Sequence, residues 1–208
     1  MFGIHDFSVF IATGIILNLT PGPDTFYILG RSMAQGRSAG VASALGISAG
    51  SLVHTLAADL GLSALIAASA TAFLVVKLAG AAYLVFLGAQ MLFSRVSAAG
   101  IPAGFTSSGF FAVFRQGLLT NVLNPKVALF FLAFMPQFIA ADSPSKFAAF
   151  ITLGLCFVVT GTLWCLCLAW FSSFLGDRLR GSARFAEILN RTAGALFVFL
   201  GVRLATTK

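Results

Sequence analysis

Acidic residues are scarce in this chain: six Asp and Glu stand among 208 residues, against 13 Lys and Arg. A charged fraction of 9% beside 59% hydrophobic residues excludes an ordinary soluble globular domain. Histidine is almost missing, with only His5 and His54, and the three cysteines Cys156, Cys165 and Cys167 share one apolar segment without metal-ligand spacing. These shortages weigh against a metal site. They also leave no zinc-protease helix motif and no Ser/His/Asp set that would mark an enzyme, so no catalytic residue and no cofactor is expected. A glycine-rich phosphate loop followed by Lys-Ser or Lys-Thr is lacking as well, which points to an ion gradient rather than ATP as the energy source. The N-terminus has no basic region followed by a cleavage site, and no removable signal peptide is expected. The net charge of +7 does not imply a nucleic-acid partner, because the Lys and Arg residues cluster beside apolar runs instead of forming one basic face.

Long apolar runs, by contrast, are plentiful. They extend from about Phe7 to Leu29, Ala39 to Ala68, Phe73 to Phe93, Phe110 to Ile139 and Phe147 to Phe171, with a shorter one at Ala193 to Val202. At about 20 apolar residues per crossing, the chain holds roughly six transmembrane helices and no separate soluble domain. The last run covers only about 15 Å, so its helix must borrow residues upstream of Arg191 or thin the bilayer. The Ser/Gly/Ala-rich connection from Ser94 to Gly109 divides the single domain, 1–208, into repeats of about 1–96 and 108–208.

Two of these runs are broken alike, half a chain apart: Leu19-Thr20-Pro21 recurs as Leu123-Asn124-Pro125. Proline cannot donate the amide hydrogen bond of an interior helical residue, so each site frees a carbonyl one turn back. Irregular backbone at membrane depth is tolerated where it lines a polar cavity, and paired breaks in corresponding halves point to a transporter's binding site. The fold expected is therefore an all-α integral membrane protein of two inverted three-helix repeats, with helices 1 and 4 broken at prolines. Half-helix ends carry partial charges of both signs, which suits a zwitterionic amino acid.

The candidate substrate-binding residues are Asn18, Thr20, Pro21, Gly22, Pro23 and Asp24 at the first break, and Asn121, Asn124, Pro125 and Lys126 at the second. Asp24 is assigned the substrate ammonium or a proton; its structural alternative is a helix cap. Lys126, roughly 24 Å along its helix from Phe110, is assigned the substrate carboxylate, with a side chain snorkelling to the interface as the alternative. The three asparagines either satisfy freed carbonyls or touch substrate. Asp59 and Lys77 flank the short turn between the second and third runs and could pair, as a proton-linked switch or as plain structure. His54, about 140° around the helix from Asp59, is a candidate proton carrier. Gly46 and Gly50, four apart, could allow a close helix approach or a dimer face.

Six spans place both termini on one side. Arg31, Arg37, Arg95, Arg115, Arg178, Arg180, Arg184 and Arg191 fall in the connections of one side, against Lys146, Arg203 and Lys208 on the other, so both termini are expected in the periplasm.

The chain resembles the lysine exporter family of bacterial inner-membrane carriers, in its homoserine/threonine exporter branch. The resemblance is nearly full length and rests on Asn18-Leu19-Thr20-Pro21-Gly22-Pro23-Asp24, Gly46-Ile47 to His54, and Gly61-Leu62-Ser63-Ala64-Leu65. It continues in Lys77 with Gly80-Ala81-Ala82-Tyr83, and in Asn124-Pro125-Lys126 through Met135-Pro136-Gln137-Phe138. It implies a six-helix carrier that exports amino acids from the cytoplasm by proton antiport, with a homodimer allowed. Asp59 departs from the branch, where a small or apolar residue is expected. The cargo expected is a small neutral amino acid of the threonine, homoserine or leucine type. Basic amino acids, with Asp59 as an extra anion, or metal ions are the alternatives within transport, and a lipid-modifying membrane enzyme is the alternative from another class.

Overall fold

The computed structural model describes residues 2–68, 70–93, 107–140, 142–172 and 183–206. Among them the chain is helical, apart from short connections and one isolated antiparallel bridge between Ile4 and Ile139. The first apolar run forms α1 (Phe7–Leu19) and α2 (Pro23–Gln35), separated at Thr20–Gly22. Then come α3 (Arg37–Ala68) and α4 (Ala70–Phe93). The fourth run is α5 (Phe110–Val122) and α6 (Pro125–Leu129), continued by a π-helical turn at Phe130–Phe134 and a 3₁₀ turn at Met135–Phe138. The chain closes with α7 (Lys146–Trp170) and α8 (Ala183–Thr206).

Length and hydropathy qualify Arg37–Gly61 and Lys146–Trp170 as uninterrupted membrane spans, and the two pieces of the fourth run, bent by 50°, as a third. α8 does borrow upstream residues, starting eight positions before Arg191 at Ala183. The first run reaches further than its hydrophobicity indicates. It was expected to stop at Leu29, but α2 continues to Gln35 and buries Arg31. The helix can hold that cation because its guanidinium donates to Gln35 Oε1 at 2.7 Å and to Gln116 Oε1, and lies 5.7 Å from the centre of the Tyr27 ring.

The Arg203 guanidinium stands 3.8 Å from Asp6, which brings the end of α8 beside the start of α1. At the opposite end of the bundle, Arg37 at the start of α3 lies 5.1 Å over the ring of Trp170 at the end of α7. Most of the connection 94–109 lies outside the described residues, as do Arg95, Arg178, Arg180 and the side chains of Lys77 and Arg184.

α3 is the central helix and packs against α2, α5 and α7, while α4 and α8 form the most extensive single pairing. Glycines set the closeness of the α3–α5 contact. A Cβ at Gly46 would overlap the carbonyl oxygen of Phe114, and one at Gly50 would lie 2.7 Å from Asn121 Oδ1. The Gly46/Gly50 stripe is therefore occupied within the chain and is not a free dimer face. Beyond the two breaks, Phe10, Phe130, Phe131, Phe134, Phe138, Phe150 and Phe157 fill the space among α1, the π turn and α7. Phe130 and Phe157 stack at 4.7 Å, and Phe10 meets Phe138 edge-on at 5.4 Å.

Candidate functional site

The prolines determine which carbonyls need partners. Pro21 offers no amide to the carbonyl four residues back, that of Leu17, and Pro125 none to that of Asn121. Each receives a side chain from another part of the chain. Lys126 Nζ, at the second break, donates to Leu17 O at 3.2 Å and to Thr20 O at 3.0 Å. His54 Nε2, from α3, lies 3.1 Å from Asn121 O while its ring stacks on Phe131 at 5.7 Å. The backbone supplies secondary partners, Thr20 N to Leu17 O at 3.2 Å and Asn124 N to Asn121 O at 2.9 Å. The two breaks are thus tied together through Lys126, and neither leaves its freed carbonyl bare in an apolar surrounding.

A second tie is acidic. Asp24, in the first turn of α2, accepts from Asn121 Nδ2 at 2.8 Å through Oδ2. Asn121 Oδ1 in turn accepts from Ser51 Oγ at 3.3 Å. Asp24 Oδ1 is buried and has no partner at hydrogen-bond distance among the described residues, although the Asn124 side-chain amide also interacts with this carboxylate. Asp24 therefore does not serve as the helix cap considered from sequence; the cap position of α2 is Gly22, which has no side chain to contribute.

These groups border one cavity of about 30 Å³, room for a water or two and too little for an amino acid. Its wall is polar at Asn18, Asp24, Ser48, Ser51, Asn121, Lys126 and Thr162, and apolar at Leu17, Ile47, Val127, Phe157, Val158 and Leu168. Thr162 on α7 donates to Ser48 Oγ of α3 at 2.7 Å, closing one side. Asn18 and Trp164 both border the cavity, and their buried Nδ2 and Nε1 find no acceptor among the described residues.

Of the residues singled out from sequence, Asn18, Asp24, Asn121 and Lys126 meet at this cavity. Lys126 does not snorkel: its ammonium is turned inward to the first break. Thr20 is buried with its hydroxyl on Ile16 O at 2.7 Å, and Pro21 and Gly22 complete the turn. A Cβ on Gly22 would come within 3.3 Å of Lys126 Nζ, so glycine there leaves the ammonium its place. Pro23 and Pro125 occupy the first turns of α2 and α6, where a missing amide costs nothing. Asn124 is structural at its oxygen, which caps α6 by accepting from Lys126 N at 3.1 Å.

Asp59 is buried on α3 with Oδ1 unpartnered within the protein, but it is eight residues, or about 12 Å of helix, beyond Ser51 and does not line the cavity. The expected pairing of Asp59 with Lys77 falls on a side chain outside the described residues. Sequence reading missed Ser51, Thr162 and Trp164. Gly161, Trp164, Cys165 and Leu168 lie at i, i+3, i+4 and i+7 on one face of α7, but all four fit an apolar helix, so this spacing did not distinguish Trp164, and nothing in the sequence singled out Ser51 or Thr162.

A helical protein with apolar helices long enough for a bilayer, and two broken helices meeting at a buried polar cavity, has the build of a membrane translocator. The chain belongs to the LysE type translocator family, whose model matches residues 15–208. It is 29% identical over 207 residues to proteins named leucine efflux protein in Salmonella typhimurium and Klebsiella pneumoniae, covering 100% of this chain and 98% of each relative. It is likewise 29% identical over 208 residues to an uncharacterized membrane protein, YrhP, of Bacillus subtilis, covering 96% of this chain and 98% of that one. No solved structure matches the chain.

Proposed function

We propose that this protein is a secondary active exporter of small neutral amino acids, with leucine as first candidate, moving them out of the cytoplasm by proton antiport. The observation that carries this reading is the cavity at the two breaks: a single carboxylate, Asp24, with an open acceptor oxygen, beside an aliphatic and aromatic wall. The free Asp24 oxygen suits an ammonium or a proton. Leu17, Ile47, Val127, Val158 and Leu168 suit an aliphatic side chain, in keeping with the relatives named for leucine efflux. A basic cargo would need a second anion. Asp59 is too far along α3 to supply it, which favours neutral substrates over the basic alternative.

The architecture of the proposal is six passes in two inverted repeats in the bacterial inner membrane, with both termini periplasmic. The helix pairing supports it. α3 with α7 and α4 with α8 pair like with like, as an axis exchanging the halves requires, and the α3–α5 contact has a much less extensive counterpart between α7 and α1. With so small a cavity, the described conformation is closed, and substrate enters when the breaks part. Cells lacking their own exporters, carrying this protein and loaded with leucine or lysine dipeptides, test the reading. Faster efflux of leucine than in empty-vector cells is expected, with lysine unchanged; equal leucine efflux in both strains refutes it.

A further inference from the structure

Three buried polar atoms on residues that line the cavity have no hydrogen-bond partner among the described residues, and they are of opposite character: the donors Asn18 Nδ2 and Trp164 Nε1, and the acceptor Asp24 Oδ1. Buried indole and amide N–H groups normally find acceptors, so two unmet donors bordering one cavity mark where a ligand's acceptor belongs. Gly161 lets the Asn18 side chain pack close against α7. A Cβ there would lie 3.2 Å from Asn18 Oδ1 and 3.4 Å from Asn18 Nδ2, and Gly161 is one helical turn from Trp164 on the same face of α7. Lys126, the obvious anion receiver from sequence, already gives two of its three N–H groups to the carbonyls of Leu17 and Thr20.

We infer that the carboxylate of the transported amino acid is received by the Asn18 amide and the Trp164 indole N–H, opposite an ammonium held by Asp24, while Lys126 is a positioning residue for the first break. This rests on the reading of the chain as an amino-acid exporter and names how that same site sorts its cargo. Lys126 and Asp24 balance each other's charge, so a site completed by neutral donors accepts a net-neutral ligand and leaves an extra cationic side chain unmatched. Hydrogen bonds to an ionised carboxylate are the stronger kind even from neutral donors, and amidation weakens them by removing the charge and replacing one acceptor oxygen with an NH2 donor.

The test measures binding of leucine and of leucinamide to purified, monodisperse protein. Trp164→Phe keeps an aromatic ring and removes the N–H; Asn18→Leu keeps approximate size and removes the amide. Each should weaken leucine binding roughly tenfold, weaken leucinamide binding by a smaller factor because only a neutral carbonyl acceptor remains, and so shrink the preference for the free carboxylate. Lys126→Met should retain that preference in whatever protein remains folded. If Trp164→Phe does not fold, benzothienylalanine at 164, with sulfur in place of N–H at nearly constant shape, gives the same reading. Wild-type preference in both donor variants, or its loss in Lys126→Met alone, overturns the inference while leaving the export reading standing. A wild type that binds no zwitterionic amino acid removes both.

Discussion

Replacing Lys126 with methionine keeps much of the stem and removes the ammonium that ties the two breaks. Two charge-assisted hydrogen bonds go with it, to Leu17 O and Thr20 O. At about 1.5–3 kcal/mol each, the ceiling is about 6 kcal/mol. Leu17 O keeps the Thr20 amide at 3.2 Å, however, whereas Lys126 is the donor the structure gives to Thr20 O. The expected loss is therefore nearer to one bond, about 2–3 kcal/mol, or roughly thirty- to a hundredfold in the unfolding equilibrium. Removing a buried cation relieves its desolvation, but it leaves Asp24 without the balancing charge, so the two corrections oppose each other. The assay is equilibrium unfolding of purified protein in one detergent, in a cycle with Pro21→Ala. Alanine at 21 restores an amide that can close the helical bond to Leu17 O, so in the Lys126→Met background it should recover the smaller share of the loss, that at Leu17 O, while the larger share at Thr20 O remains. Strictly additive effects, or a Lys126→Met protein as stable as wild type, refute the tie between the breaks.

His54→Phe should retain the stacking on Phe131 but remove the side-chain donor to the Asn121 carbonyl, which keeps the Asn124 amide at 2.9 Å, costing about 1 kcal/mol in the same unfolding assay; an unchanged midpoint argues against the His54–Asn121 bond. Gly46→Ala should force α3 away from the Phe114 carbonyl and cost about 1–3 kcal/mol, whereas Gly61→Ala, with nothing within 4 Å, should be neutral or gain up to about 1 kcal/mol. Equal effects at the two glycines would contradict the described α3–α5 contact. For topology, a phosphatase active only in the periplasm should work when fused after Lys208, and a fluorescent cytoplasmic reporter at that position in an export-competent fusion would reverse the orientation.

The breaks were legible because proline chemistry is local: the positions of Pro21 and Pro125 identify both the interruption and the carbonyls it frees. Helix extents were legible where hydrophobicity ends abruptly: α7 stops at Trp170, one residue short of the expected Phe171. They failed at Arg31, because a cation reads as a boundary unless its partners, Gln35 and the distant Gln116, are known. Lys126 shows the same limit. Its position beside a break and its charge mark it as a candidate substrate anchor, and only the fold reveals that its ammonium also donates to the Leu17 and Thr20 carbonyls. Trp164 and Ser51 were hidden for a different reason: their roles depend on α7 and α3 turning particular faces to the cavity, and neither sits in a motif.

The central claim is that the cavity between the breaks carries a zwitterion with Asp24 as its essential anion. Uptake of labelled leucine by proteoliposomes under an imposed pH gradient, with wild type and Asp24→Asn compared at equal reconstitution, tests it most directly. The account predicts accumulation by wild type that a protonophore abolishes, and no accumulation by Asp24→Asn. Gradient-driven leucine accumulation by Asp24→Asn at the wild-type rate would contradict it.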